Sequence, residues 1–300
     1  MVPPFIKRHG ISYHMYADDV QLYISFDPKD PRSIASSLGA LSACIDSMKT
    51  WMHENYLKLN DSKTEFFVAT SPHVKRTMAP VVLRVGDTDV TPSDTVRNLG
   101  VMFDSTMTMA VHVKALCGSL TYQLRNISRL RRFMDFDTCH LVVRALVLSR
   151  LDYGNGLLLG LCVADINRLQ RIQNWAAKLI CLASKYDHAS PCLQRLHWLR
   201  VNNRILFKVL LYVYTCMDHS APSYLAEGIT RYNPGRAGLR SAADSSRLVV
   251  PYSCKSLKSA DRGCFSYTAP RVWNTLPIEV RCASSVASFK KSLKTHLFSF

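Results

Sequence analysis

Tyr16-Ala17-Asp18-Asp19 is the stretch of this sequence best suited to chemistry. Two adjacent carboxylates held between aromatic and apolar runs make a fixed acidic point. Magnesium takes hard oxygen ligands, usually one or two carboxylates with substrate phosphates completing the shell. A pair of such ions can activate an attacking 3′-hydroxyl and stabilise a leaving pyrophosphate. An ordinary Asp-Asp turn on a protein surface is the plain alternative. For an isolated four-residue string that alternative would win, and the aromatic and apolar runs on both sides improve the odds of the metal reading.

Other reactive residue types form no pattern as sharp. The ten cysteines are scattered, and no C-x-x-C occurs. A disulfide scaffold belongs to short secreted chains, which this is not. His188, Cys192, His197, Cys216 and His219 come nearest to a zinc set, but their intervals fit no zinc class well. They read as core thiols and surface histidines, with zinc as the alternative. The phosphate-binding loop of nucleotide hydrolases is absent, and so is a nucleophile elbow.

The acidic pair sits in a predicted β-hairpin. Residues 11–16 are strand-like. Val20, Leu22, Ile24 and Phe26 alternate with Gln21, Tyr23 and Ser25, and Ala17-Asp18-Asp19 forms the tip. A helix follows, capped by Asp30 with Pro31 in its first turn. Its apolar face is Ile34, Leu38, Leu41, Ile45, Met48 and Met52. Residues 64–70, 81–85 and 96–103 are predicted strands, with a turn over Gly86-Asp87-Thr88-Asp89. Beyond Asp104 the pattern turns helical. Val113, Leu116, Leu120, Leu124 and Ile127 form one stripe, and further helices are predicted over 138–151, 164–183 and 201–217. Residues 228–262 are rich in Ser, Gly and Arg and read as a loose region. Phe265, Tyr267, Trp273 and Leu276 mark a compact end, and 285–298 is a last amphipathic helix. The fold class is therefore α+β.

Charge divides the chain at the same place. Residues 1–105 carry 11 Lys+Arg and 12 Asp+Glu, a net of −1, whereas 106–300 carry 27 and 10, a net of +17. In the second part Arg outnumbers Lys by 18 to 9. Such a field favours a polyanion, and the planar fork of Arg suits phosphate. With 48% hydrophobic residues, a disordered chain is excluded. No signal peptide or membrane span is visible, so the expectation is a soluble intracellular protein of cytoplasm or nucleus, with no membrane and no protein partner.

Tyr16-Ala17-Asp18-Asp19 resembles the catalytic hairpin of reverse transcriptases, and later blocks match in order. Leu57-Lys58-Leu59-Asn60-Asp61-Ser62-Lys63-Thr64-Glu65 resembles the next motif of the non-LTR (LINE-type) enzymes. Asn98-Leu99-Gly100-Val101-Met102-Phe103-Asp104 resembles their primer grip. Arg171-Ile172-Gln173-Asn174 and Leu196-His197-Trp198-Leu199 resemble segments of their thumb and carboxy-terminal region. Ala221-Pro222-Ser223-Tyr224-Leu225, residues 269–277 and residues 288–298 resemble tail motifs of the chicken-repeat and Rex groups.

The resemblance implies an RNA-directed DNA polymerase that uses Mg²⁺ and deoxynucleoside triphosphates on an RNA template and DNA primer. Asp18 and Asp19 would be metal ligands. Lys63 would be the general acid towards pyrophosphate, with a solvated loop lysine as the alternative. Leu99 and Gly100 would meet the primer, where a plain strand with a glycine kink is the alternative. Arg125, Arg129, Arg131 and Arg132 would grip the template–primer backbone. The implied layout is an incomplete palm over 1–104, a basic helical thumb-like domain over 105–218 and a small mixed tail over 219–300.

The family also needs a third palm carboxylate and fingers ahead of the hairpin. Residues 1–15 contain no Asp or Glu. The expectation is therefore the carboxy-terminal part of such an enzyme, inactive alone, its palm sheet short of a central strand and open at an edge. A non-catalytic nucleic-acid-binding protein and a decayed retrotransposon relic are the alternatives.

Overall fold

The computed structural model describes residues 5–60, 63–233, 246–251 and 264–298. It is mixed α+β, about 57% helical, with small antiparallel sheets. Two units are separable, Met1–Met107 and Thr108–Phe300. Asp61 and Ser62, and positions 234–245 and 252–263, which include much of the predicted loose region, lie outside the described residues. Among the described residues no helix is long and apolar enough to cross a membrane.

The first unit is organised by one long helix. After a short turn of helix, α1 (Phe5–Arg8), strands β1 (Ser12–Tyr16) and β2 (Asp19–Tyr23) form an antiparallel hairpin. Helix α2 (Pro31–Glu54) begins where Asp30 accepts a hydrogen bond from the Arg32 amide at 2.9 Å. That carboxylate satisfies one of the orphan donors of the first turn, and Pro31 lacks the N–H that would be another. The predicted apolar face faces inward. Leu41, Cys44 and Ile45 are buried, with Ile34 and Leu38 partly so. They pack with Phe66, Val68, Val81, Leu83 and Val85, while Tyr13 and Leu22, opposite each other in the first hairpin, close on the same core.

Two predicted strands differ in the structure. Residues 64–70 hold only an isolated parallel bridge, Phe67 to Ser93. Phe66-Phe67-Val68 is a continuous apolar run with no alternation, and its flanks bond to different segments. The Phe66 carbonyl accepts from Ser93 at 2.8 Å and the Thr70 amide donates to Ser105 at 2.9 Å. The stretch 96–103 is a hairpin rather than one strand: β5 (Thr95–Asn98) pairs with β6 (Val101–Asp104) around Leu99-Gly100. Between these lie α3 (Pro72–Thr77) and a third hairpin, β3 (Leu83–Val85) with β4 (Thr88–Val90), whose turn is only Gly86-Asp87. The three hairpins are separate two-stranded sheets among the described residues.

The second unit is helical. Helix α4 (Ala110–Leu130) buries Val113, Leu120, Leu124 and Ile127. The helix predicted over 138–151 begins earlier, at Phe136, because Asp135 is its cap and accepts from the Thr138 amide at 2.7 Å. It runs as α5 (Phe136–Val143), a π-turn over Arg144–Leu148, and α6 (Ser149–Asp152). Next come α7 (Val163–Cys181), α8 (Ser190–Arg195), α9 (Val201–Met217) and a single turn, α10 (Ser223–Ala226). Helix α9 packs against both α11 (Phe265–Asn274) and α13 (Val286–Phe298), with α12 (Ile278–Arg281) between them in sequence. Tyr214 of α9 stacks on Phe289 of α13 at 4.3 Å, and Trp273 of α11 lies 5.8 Å from Phe289.

Candidate functional site

The register of the first hairpin pairs Tyr16 with Asp19 and leaves Ala17-Asp18 as a two-residue tip. Asp18 is thus at the turn and Asp19 is the first residue of β2, so the tip is tighter than predicted. Both carboxylates are exposed. Ala17 sits at φ 53°, in the left-handed region that side chains other than glycine rarely adopt. Strand periodicity puts Asp19 and Gln21 on one face, shared with Tyr16 and His14 across the ladder.

The hairpin that carries the primer-grip-like motif has the same construction. Asn98 pairs with Val101, and the tip is Leu99-Gly100 with φ values of 44° and 81°. Positive φ at both central residues matches the twist of the flanking strands, which is why Gly is favoured there. Leu99 holds the strained position and is 36% exposed. A turn thus replaces the strand-with-kink alternative.

Gln21 joins the two hairpins. Its Nε2 donates to Oδ1 of Asn98 at 2.7 Å. Gln21 is two residues past Asp19 on the same face, and Asn98 immediately precedes Leu99. The bond therefore couples the shoulders of the two tips, and Asp18 and Asp19 share one unit with Leu99 and Gly100. Asn98 opens the primer-grip-like block, but nothing in the sequence pairs it with Gln21, because a side-chain bond across 77 positions leaves no periodic trace.

Lys63 is exposed, and its backbone amide bonds to the Asn60 carbonyl at 3.1 Å. No hydrogen bond among the described residues joins it to Asp18 or Asp19. Nor do any three His, Cys, Asp or Glu side chains among them group to hold a metal ion. Asp18 and Asp19 carry oxygens of the hard type that Mg²⁺ prefers.

The four arginines fall into two groups. Arg125 and Arg129 lie exposed on α4, and Arg132 is exposed in the following turn. Arg131 departs from the expectation. It is buried, and its Nε, Nη1 and Nη2 donate to the carbonyls of Leu179, Met134 and Ile180 at 2.9, 2.6 and 3.0 Å. The last carbonyls of a helix have no intrahelical donor, and a guanidinium supplies several at once. Arg131 therefore closes the end of α7 and is withdrawn from any phosphate.

Hydrogen bonds join one pair of the motifs in this unit and tie a third to Leu248. Gln173, fully buried, donates to the Leu199 carbonyl at 2.8 Å, and Gln170 accepts from the Val201 amide at 2.9 Å. The Asn274 amide group both accepts from the Leu248 amide and donates to its carbonyl, at 2.9 and 2.8 Å, as a neighbouring strand would. Cys192 and Cys216 are buried while His188, His197 and His219 are exposed. Burial, with Cys192 alongside, pushes the Cys181 thiol up to about 11, and burial raises Cys44, Cys139 and Cys216 as well.

The chain matches no family model, and no curated protein or solved structure is similar enough to it to count as a relative.

Proposed function

We propose that these 300 residues are the catalytic-hairpin end of the palm, the thumb and the tail of an RNA-directed DNA polymerase of the non-LTR retrotransposon kind. The observation that supports this reading is the Gln21–Asn98 bond, which joins the hairpin bearing Asp18 and Asp19 to the hairpin bearing Leu99 and Gly100. A nucleotidyl transferase needs these two things in one place: carboxylates for metal, and an open backbone against which a primer can lie.

In this reading Asp18 and Asp19 hold Mg²⁺, which would lower the charge on the incoming triphosphate and on the leaving pyrophosphate. Lys63 stands towards the phosphates as a proton donor. Leu99 and Gly100 position the primer end, and Arg125, Arg129 and Arg132 meet backbone phosphates. RNA template, DNA primer and deoxynucleoside triphosphates are the substrates.

Primer extension on an RNA template with Mg²⁺ tests this. The expected result is salt-sensitive binding of template–primer, with any synthesis lost in Asp18→Asn. Synthesis that survives Asp18→Asn, or absence of binding, would overturn the polymerase reading. A non-catalytic nucleic-acid-binding protein is the second reading, favoured by the net +17 of residues 106–300. It predicts that Asp18 and Asp19 are dispensable for binding.

A further inference from the structure

Helix α4 carries a feature that phosphate binding does not use. From position 105 to 134 the sequence has no Asp or Glu. Lys114, Arg125 and Arg129 are exposed, and none is paired with a carboxylate among the described residues. Aromatic rings lie among them: Tyr122 is 63% exposed and Phe133 is 73% exposed. At 100° per residue, Lys114, Tyr122, Arg125 and Arg129 share one face, opposite buried Val113, Leu120, Leu124 and Ile127. Arg132 and Phe133 follow in the turn after α4, both exposed, with the guanidinium 4.6 Å from the centre of the ring.

We propose that this face binds single-stranded nucleic acid, with unpaired bases stacked on Tyr122 and Phe133 and phosphates on Lys114, Arg125, Arg129 and Arg132. The inference rests on the reading above only in taking the second unit to bind nucleic acid. Charge alone would serve a duplex as well. Exposed rings interleaved with cations serve a strand whose bases are free to stack, whereas a duplex keeps its base faces to itself. A base stacks alike on either sugar, so RNA and DNA single strands both qualify.

Fluorescence anisotropy with the full chain distinguishes these cases, using a short labelled single strand and the same strand annealed to its complement. Tyr122→Ala and Phe133→Ala are each expected to weaken single-strand binding roughly tenfold, while duplex affinity and the salt slope stay the same. Tyr122→Phe keeps the ring and is expected to bind as the native protein does. Because both rings face solvent, truncation leaves the core intact, which circular dichroism verifies. Salt-sensitive binding indifferent to both rings overturns this inference alone. An equal loss on the duplex also overturns it. No binding of either probe overturns it together with the proposed function.

Discussion

Nε2 of Gln21 lies 2.7 Å from Oδ1 of Asn98, a bond that ties the hairpin bearing Asp18 and Asp19 to the hairpin bearing Leu99 and Gly100. Both partners are half-buried. A net contribution of about 1 kcal/mol is typical of such a bond. A double-mutant cycle on Gln21→Leu and Asn98→Leu, followed by denaturant unfolding, should return a coupling energy of about that size. Strict additivity of the two substitutions would mean that the hairpins are held by other contacts.

Leu99 sits at φ 44° where Asn or Gly would be at ease. Non-glycine residues held in such a region cluster at ligand clamps, and the strain costs about 1 kcal/mol or more. Leu99→Asn creates the favoured Asn-Gly tip and should raise the melting temperature of the first unit by about 4 °C or more. The same substitution should weaken binding of a template–primer. A lower melting temperature would contradict the strain account.

Arg131 and Arg129 are two positions apart and should behave in opposite ways. Arg131→Ala strands the carbonyls of Leu179, Met134 and Ile180 and should cost about 3 kcal/mol of stability. Arg129→Ala should leave unfolding unchanged and lower the slope of log affinity against log salt by about one. Chemical denaturation and a salt titration separate the two roles.

Stability should fall at both ends of the pH range, for different groups. His112 is buried and burial lowers its pKa below 6.5, so the unfolded chain takes up a proton that the folded chain refuses. Stability therefore falls as the pH drops below about 6.5. Burial holds Cys181 up to about 11 against an ordinary 9.0. The unfolded chain then loses that proton first, and stability declines as the pH rises through the interval from 9.0 to about 11. Thermal unfolding across pH checks both limbs, and His112→Gln should flatten the acid one.

The helices were legible because their signals are local. Asp30-Pro31 and the recurring apolar face fix α2, and the bounds of α9 follow directly from its apolar run. The hairpin at Leu99-Gly100 was not, since Leu gives no turn signal and Val96 to Phe103 reads as one β-rich run. Residues 64–70 misled for the opposite reason: an apolar run reports burial, not a ladder partner. At the site, Asp18 and Asp19 stood out by type, while Gln21 and Asn98 did not, because polar residues alternating in a strand carry no mark of a distant partner. The inward turn of Arg131 was hidden too, since composition cannot tell a helix-closing arginine from its exposed neighbour Arg132.

The central claim, that Asp18 and Asp19 form a metal site acting on a template–primer, is tested most directly by affinity with and without Mg²⁺. In a chelator, two carboxylates beside a phosphate backbone repel it, so Asp18→Asn with Asp19→Asn should bind tighter than the native protein. Added Mg²⁺ should strengthen native binding and leave the double variant unmoved. Equal affinities for both proteins, with and without the metal, would contradict the account and leave a nucleic-acid-binding protein with an acidic turn.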